Sequence, residues 1–162
     1  MPLTLSGDGS ITGAIFNRPA FRVLRTNDLN INNNTVTTVT YNSVEIDTGN
    51  CFNTSNGRFT PNEAGYYFVF ASITLSAELG ARLSDAEVLL RKNGTVIALG
   101  QLDGTNSFPD DTVSPVVSGL IQMNGSTDYL DVAAKIIVTS SVPQIEGSSS
   151  GMNYFHGFKL AI

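Results

Sequence analysis

From Gly65 the chain runs Tyr66, Tyr67, Phe68, Val69, Phe70, Ala71, Ser72, Ile73, Thr74, Leu75, Ser76, a β-branched and aromatic stretch too long and too aromatic to be a loop. Alternate residues of a strand point to opposite faces. One face then carries Tyr67, Val69, Ala71, Ile73 and Leu75, and the other Tyr66, Phe68, Phe70, Ser72 and Thr74. A two-layer sandwich covers only one of these faces with its own second sheet. Three aromatics in a row on the other face need cover from outside, and in a chain of 162 residues the expected cover is another copy of the same chain. A bulge between Gly65 and Ala71 would exchange the two faces and hand the contact to Tyr67 and Val69.

The residues before this strand carry turn chemistry. Asn53-Thr54-Ser55-Asn56-Gly57 can close tightly, because Gly accepts positive φ and Asn tolerates it better than most residues. Phe52 and Phe59 flank that turn. Pro19 to Arg25 reads as a first strand, Thr35 to Tyr41 as another, and Thr26 to Asn34 as an Asn-crowded loop between them. Ala86 to Arg91 and Thr95 to Leu102 are joined by Lys92-Asn93-Gly94, and Asn-Gly is among the strongest hairpin signals. Val116 to Met123 and Tyr129 to Val138 read as a further strand pair across Asn124-Gly125-Ser126, and Tyr154 to Ile162 as a closing strand placed centrally. Eight or more strands with no long helix make an all-β, antiparallel jelly-roll sandwich.

The spacing of the aromatics has a further meaning. Tyr41 is followed after five residues by Asp47, after four by Phe52, after six by Phe59, after five by Gly65, and after one by Tyr67. This resembles the signature of the complement C1q-like globular domain, within the tumour-necrosis-factor-like superfamily of trimeric jelly rolls. The final Phe155-His156-Gly157-Phe158-Lys159-Leu160 resembles the last strand of that family, Phe-x-Gly-Phe-x-Leu. Tyr41 stands where the pattern prefers Phe, and Val69 and Ala71 where it prefers Phe and an aromatic, but all three are apolar. The likeness runs from Pro19 to Ile162 and implies a homotrimer-forming domain over residues 19–162. The trimer contact is expected to use Tyr66, Phe68 and Phe70, extended by Tyr154, His156 and Phe158 of the closing strand.

Residues 1–18 fall outside that signature. Leu3, Leu5, Ile11 and Ile15 punctuate a Gly-Asp-Gly turn and read as a short hairpin or arm for docking onto a neighbour. The pattern Leu-Thr-Leu-x-Gly-x-Gly-x-Ile-x-Gly resembles the openings of modules in tailed-phage fibre and virion proteins.

Chemistry narrows the function by what is missing. His156 is the only histidine, so no second imidazole is available for a metal cluster, and a Ser/His/Asp triad would have to use a residue of the closing strand. The expected role of His156 is structural or at the interface. Asp103, Asp110 and Asp111 share one loop and could chelate calcium with backbone oxygens, as the resemblance allows because some C1q-like relatives bind calcium, but their spacing matches no calcium loop and the expectation is solvated carboxylates with no cofactor. A net charge of -5 leaves no basic footprint for nucleic acid. No run reaches the ~18 apolar residues of a membrane span, and the first residues lack the pattern of a signal peptide. The lone Cys51 excludes an intrachain disulfide and is expected to be a buried small apolar group.

The expectation is a non-enzymatic binding protein of a bacteriophage particle, a trimer that decorates the capsid or tips a tail fibre. Its partners would be itself, other virion proteins through the arm, and a host surface glycan or protein. It would be made in the host cytoplasm and exposed to the medium on the virion. The rival reading is an extracellular cytokine-like or lectin-like trimeric module of a cell.

Overall fold

The computed structural model describes residues 4–5, 11–12, 19–77, 83–103, 112–140, 142–148 and 151–161. The described strands, in chain order, are β1 (Thr4–Leu5), β2 (Ile11–Thr12), β3 (Ala20–Leu24), β4 (Leu29–Asn30), β5 (Thr37–Thr38) and β6 (Ser43–Asp47). Next come β7 (Phe52–Asn53), β8 (Arg58–Phe59), β9 (Ala64–Ser72), β10 (Leu75–Ser76), β11 (Leu83–Lys92) and β12 (Thr95–Asp103). The chain continues through β13 (Thr112–Val113), β14 (Val116–Asn124), β15 (Leu130–Val138), β16 (Gln144–Ile145) and β17 (Tyr154–Lys159).

Two antiparallel sheets form the sandwich. One has the order β14-β9-β17-β3-β6, with the closing strand β17 between β9 and β3. The other runs β12-β11-β15-β8-β7, with β5 also on β15. A four-stranded strip, β13-β10-β16-β4, closes one end, and β1-β2 form a separate two-stranded ribbon. The two inner faces meet in one core containing Phe21, Val69, Val88, Leu90, Val132 and Phe155, each 2% exposed or less.

The aromatic spacing now has a physical cause. Phe21 stacks on Phe59 at 4.2 Å and on Phe52 at 5.4 Å, and meets the edge of Phe155 at 4.7 Å. Tyr41 meets Phe52 edge-on at 5.8 Å, and Phe59 meets Tyr67 at 5.6 Å. The signature aromatics are thus one ring cluster between the sheets, held at geometries that aromatic quadrupoles favour. Asp47 sets the turn beside them: its carboxylate accepts the backbone N–H groups of Cys51 at 2.8 Å and Phe52 at 3.2 Å. Gly157 is needed because a Cβ there would lie 2.6 Å from Val69 Cγ1 and 2.9 Å from the Phe68 carbonyl oxygen.

The Asn-Gly hairpin forms as expected: Lys92 faces Thr95, with Asn93 at φ 53° and Gly94 at φ 80°. The β7–β8 turn also closes, with Phe52 opposite Phe59.

Two expectations are corrected. Val116 to Met123 and Tyr129 to Val138 do not pair with each other: β14 pairs with β9, and β15 with β11. The cause lies in the turn, where Asn124 Oδ1 accepts the backbone N–H groups of Ser126, Thr127 and Asp128, each at 3.0 Å. Asp128 returns the bond by accepting Asn124 N–H at 3.0 Å, and this self-contained turn carries the chain from one layer to the other. Thr35 to Tyr41 is not a full strand either. Only Thr37–Thr38 forms a regular ladder with β15, with single backbone bonds on either side from Asn34 to Ile136 and from Val39 to Val132, and the place opposite Leu130 farther along β15 belongs to Phe59.

Candidate functional site: the outer face of the five-stranded sheet

The two sheets present opposite characters to the outside. The outer face of the β11–β15 sheet is charged and internally paired: Lys135 Nζ lies 2.8 Å from Glu87 and 3.5 Å from Asp85, and Arg91 Nε lies 2.6 Å from Asp131. The outer face of the five-stranded sheet is aromatic.

The register of β9 is unbroken. Val116 to Asn124 lie opposite Ser72 to Ala64 one for one, and no bulge exchanges the faces. Tyr67, Val69 and Ala71 are therefore wholly buried, while Tyr66 and Phe68 are 39% and 37% exposed. On β17, Tyr154 lies opposite Ser72, His156 opposite Phe70, and Phe158 opposite Phe68. The six residues expected at the contact, Tyr66, Phe68, Phe70, Tyr154, His156 and Phe158, thus lie on one face.

They fall into two rows across the sheet. One row is apolar: Leu120, Phe68, Phe158 and Ala20 are successive cross-strand neighbours, with the rings of Phe68 and Phe158 6.0 Å apart. The other is Ser118, Phe70, His156, Arg22 and Ile46. Here the rings stack: Phe70 lies 5.7 Å from His156 and 5.8 Å from Tyr154. The Arg22 guanidinium lies over the Tyr154 ring at 5.5 Å and is paired with Glu45 at 2.5 Å. Burial first, and the charge of Arg22 second, hold the His156 imidazolium below its ordinary range. A shallow cavity of about 230 Å³ opens among Arg22, Ile46, His156 and Phe158.

Sequence reasoning missed part of this surface. Val116, Leu120 and Ile46 share the face and are 50%, 59% and 47% exposed. Splitting Val116 to Met123 by parity would have found the first two, since Val117, Ile121 and Met123 are the buried set. With Tyr66, Phe68 and Phe158, six large apolar side chains leave on the order of 500 Å² uncovered, at the upper end of what a monomer exposes in one patch. A second apolar surface was also missed. On edge strand β12, Leu99 lies opposite Leu89 on the outer face of its own sheet, whereas exposed Ile97 lines a groove of about 360 Å³ between β12 and Leu120 and Ile121 of β14.

The remaining expected sites are placed as follows. Thr4–Leu5 pairs antiparallel with Ile11–Thr12, so Leu5 and Ile11 belong to the ribbon, whereas Leu3 and Ile15 lie outside the described residues. Asp103 ends β12 opposite Asp85, while Asp110 and Asp111 lie outside the described residues. Among the described residues, no three His, Cys, Asp or Glu side chains gather as metal ligands. No helix among them is long and apolar enough to cross a membrane.

The C1q domain family profile matches residues 20–128. Among solved structures, the globular domain of zebrafish complement 1qA protein superposes with a TM-score of 0.57 at 17% identity, covering 88% of this chain and 98% of that one. Murine APRIL at pH 5.0 gives 0.63 at 12% identity, with 88% and 99% covered. The Eiger TNF of S. frugiperda gives 0.60 at 11% identity, with 89% and 92% covered. At these identities the likeness is one of fold, the C1q/TNF-like jelly roll. Comparison with curated proteins finds no match.

Proposed function

Because the chain belongs to the C1q domain family, we propose that it acts without catalysis, as a homotrimeric binding module whose copies join through the outer face of the five-stranded sheet. The observation that carries this reading is the character of that face: two rows of rings and aliphatic side chains on one sheet, against paired charges on β11 and β15 of the other. The groove beside β12 supplies a second and different apolar surface. A contact between two unlike surfaces repeats around a ring, and a ring of three closes when each copy sets its β12–β14 edge against the face of the next. Both surfaces are then covered. Sedimentation equilibrium of the wild type near pH 8 tests this: three times the chain mass is expected, and a well-folded monomer would contradict it.

The setting we infer is a bacteriophage particle, with the trimer as a capsid decoration or a fibre tip, residues 1–18 docking onto a neighbouring virion protein, and the outer loops meeting a host glycan or protein. Support comes from the phage-like pattern of the opening residues, the ribbon they form apart from both sheets, and a core packed around a free Cys51. Gold-labelled antibody against this protein, applied to purified particles, is expected to mark the head or the fibre tips. Unlabelled particles, with the protein free in the medium, would favour the cytokine-like or lectin-like module instead.

A further inference from the structure

The mixed row across the proposed contact contains one group whose charge changes near neutral pH. His156 stands at its centre, with Phe70 of β9 opposite on one side and Arg22 of β3 on the other. Its ring lies parallel to Tyr154, 1° apart in plane and 5.2 Å between centroids. Its Nδ1 is buried and meets no hydrogen-bond partner among the described residues. A neutral imidazole can protonate Nε2 alone and leave Nδ1 as an idle acceptor, whereas the imidazolium must find acceptors for both N–H groups. Nδ1 has none.

The charges around this ring are few. From β3 comes Arg22, and from β6 comes Glu45, already committed to Arg22 at 2.5 Å. On β9 the neighbours on this face are Phe68, Phe70 and Ser72, on β14 Ser118, and on β17 itself Tyr154 and Phe158. The closest charge is therefore a cation, and the one carboxylate is spent on it. The stacked faces of Phe70 and Tyr154 attract a cation, but they do so in the separated copy as much as in the assembly, so they leave the association equilibrium unchanged.

We propose that His156 makes the assembly proton-sensitive: copies joined through this face separate on mild acidification, because each then carries an imidazolium that the covered face cannot solvate. The proposal rests on the trimer reading and names its regulation. Covering the face removes water from the exposed side of the ring as well, and each of the three contacts in the trimer holds one such group. The sign follows from linkage. The separated copy binds the proton more readily than the joined one, but burial and Arg22 already hold its imidazole below the ordinary histidine value near 6.5, so association is complete at and above that value and weakens as pH falls below it.

Sedimentation equilibrium of the full chain from about pH 8 to about pH 5 tests this, with His156→Phe and His156→Gln run alongside. The wild type is expected to lose about tenfold or more in association constant between about pH 7 and 5, with its far-UV circular dichroism retained. Both variants are expected to associate independently of pH over that range, and the Gln variant decides the matter if the Phe variant does not fold. A wild type indifferent to pH, or a His156→Gln variant as acid-sensitive as the wild type, overturns the proposal. A wild type that is monomeric at about pH 8 overturns the trimer reading, and this proposal with it.

Discussion

The imidazole of His156 lies parallel to the phenol ring of Tyr154, 5.2 Å away with 1° between the planes. Side chains two apart on one strand share a face but need not share an orientation. Here Phe70 wedges against both, so the row is ordered before any partner arrives. Ordered side chains lose little rotamer freedom on association, and this lowers the entropic cost of joining copies.

The core predicts the behaviour of Tyr41→Phe. The Tyr41 hydroxyl is buried without a hydrogen-bond partner among the described residues, and burial, with the nearby Asp131 charge, pushes its pKa far above the ordinary tyrosine value. Removing an unsatisfied buried hydroxyl is neutral or favourable, so stability in urea is expected to hold or rise by up to about 1 kcal/mol at fixed protein concentration. The family signature prefers Phe at this position. A loss above about 1 kcal/mol would show instead that an ordered water satisfies the hydroxyl.

Cys51 is expected to resist labelling in the folded protein. It is buried and its Sγ–H donates to the Gly49 carbonyl at 3.5 Å, while burial pushes the thiol pKa up. A thiol reagent at about pH 7.5 meets little thiolate, and labelling should follow unfolding in urea. Fast stoichiometric reaction of the native chain would contradict the packing described around Phe52.

Sequence periodicity revealed much of the fold and of the face. Period-2 alternation in Tyr66 to Leu75 identified both sides of β9, because a register without bulges lets parity decide. Asn93-Gly94 announced its hairpin because positive φ at both residues is a local demand. What failed was non-local. Asn124-Gly125 looks the same in sequence, but its side chain bonds to three following amides and turns the chain into the other sheet. Thr35 to Tyr41 has strand-like residues, but Phe59 occupies the place where it would continue to pair. The groove beside β12 was invisible for a similar reason: edge position is a property of the whole sheet order, and Ile97 reads alike in a centre or at an edge.

The ribbon predicts that residues 1–18 are dispensable for the domain. Thr4–Leu5 pairs only with Ile11–Thr12 among the described strands, and neither joins a sandwich sheet. A chain beginning at Arg18 is expected to keep the urea midpoint of the full chain within experimental error, and the same mass in solution. On the particle reading it loses attachment to purified particles that lack this protein. An insoluble or monomeric truncation would place the arm in the core or the contact.

If the outer face of β9 and β17 joins three copies, Phe68 is the residue to change, because it sits in the middle of the apolar row, beside Phe158 and opposite Leu120. Its exposed part, roughly 80 Å², contributes about 2 kcal/mol per copy when covered, at about 25 cal/mol per Å². Sedimentation equilibrium at micromolar concentration near pH 8, on the wild type, Phe68→Ser and the turn variant Ser55→Ala, measures this directly. Three times the chain mass is expected for the wild type and for Ser55→Ala, and for Phe68→Ser a shift to single copies or aggregates. A well-folded wild-type monomer at that concentration, or a Phe68→Ser variant that keeps the trimer mass, would contradict it.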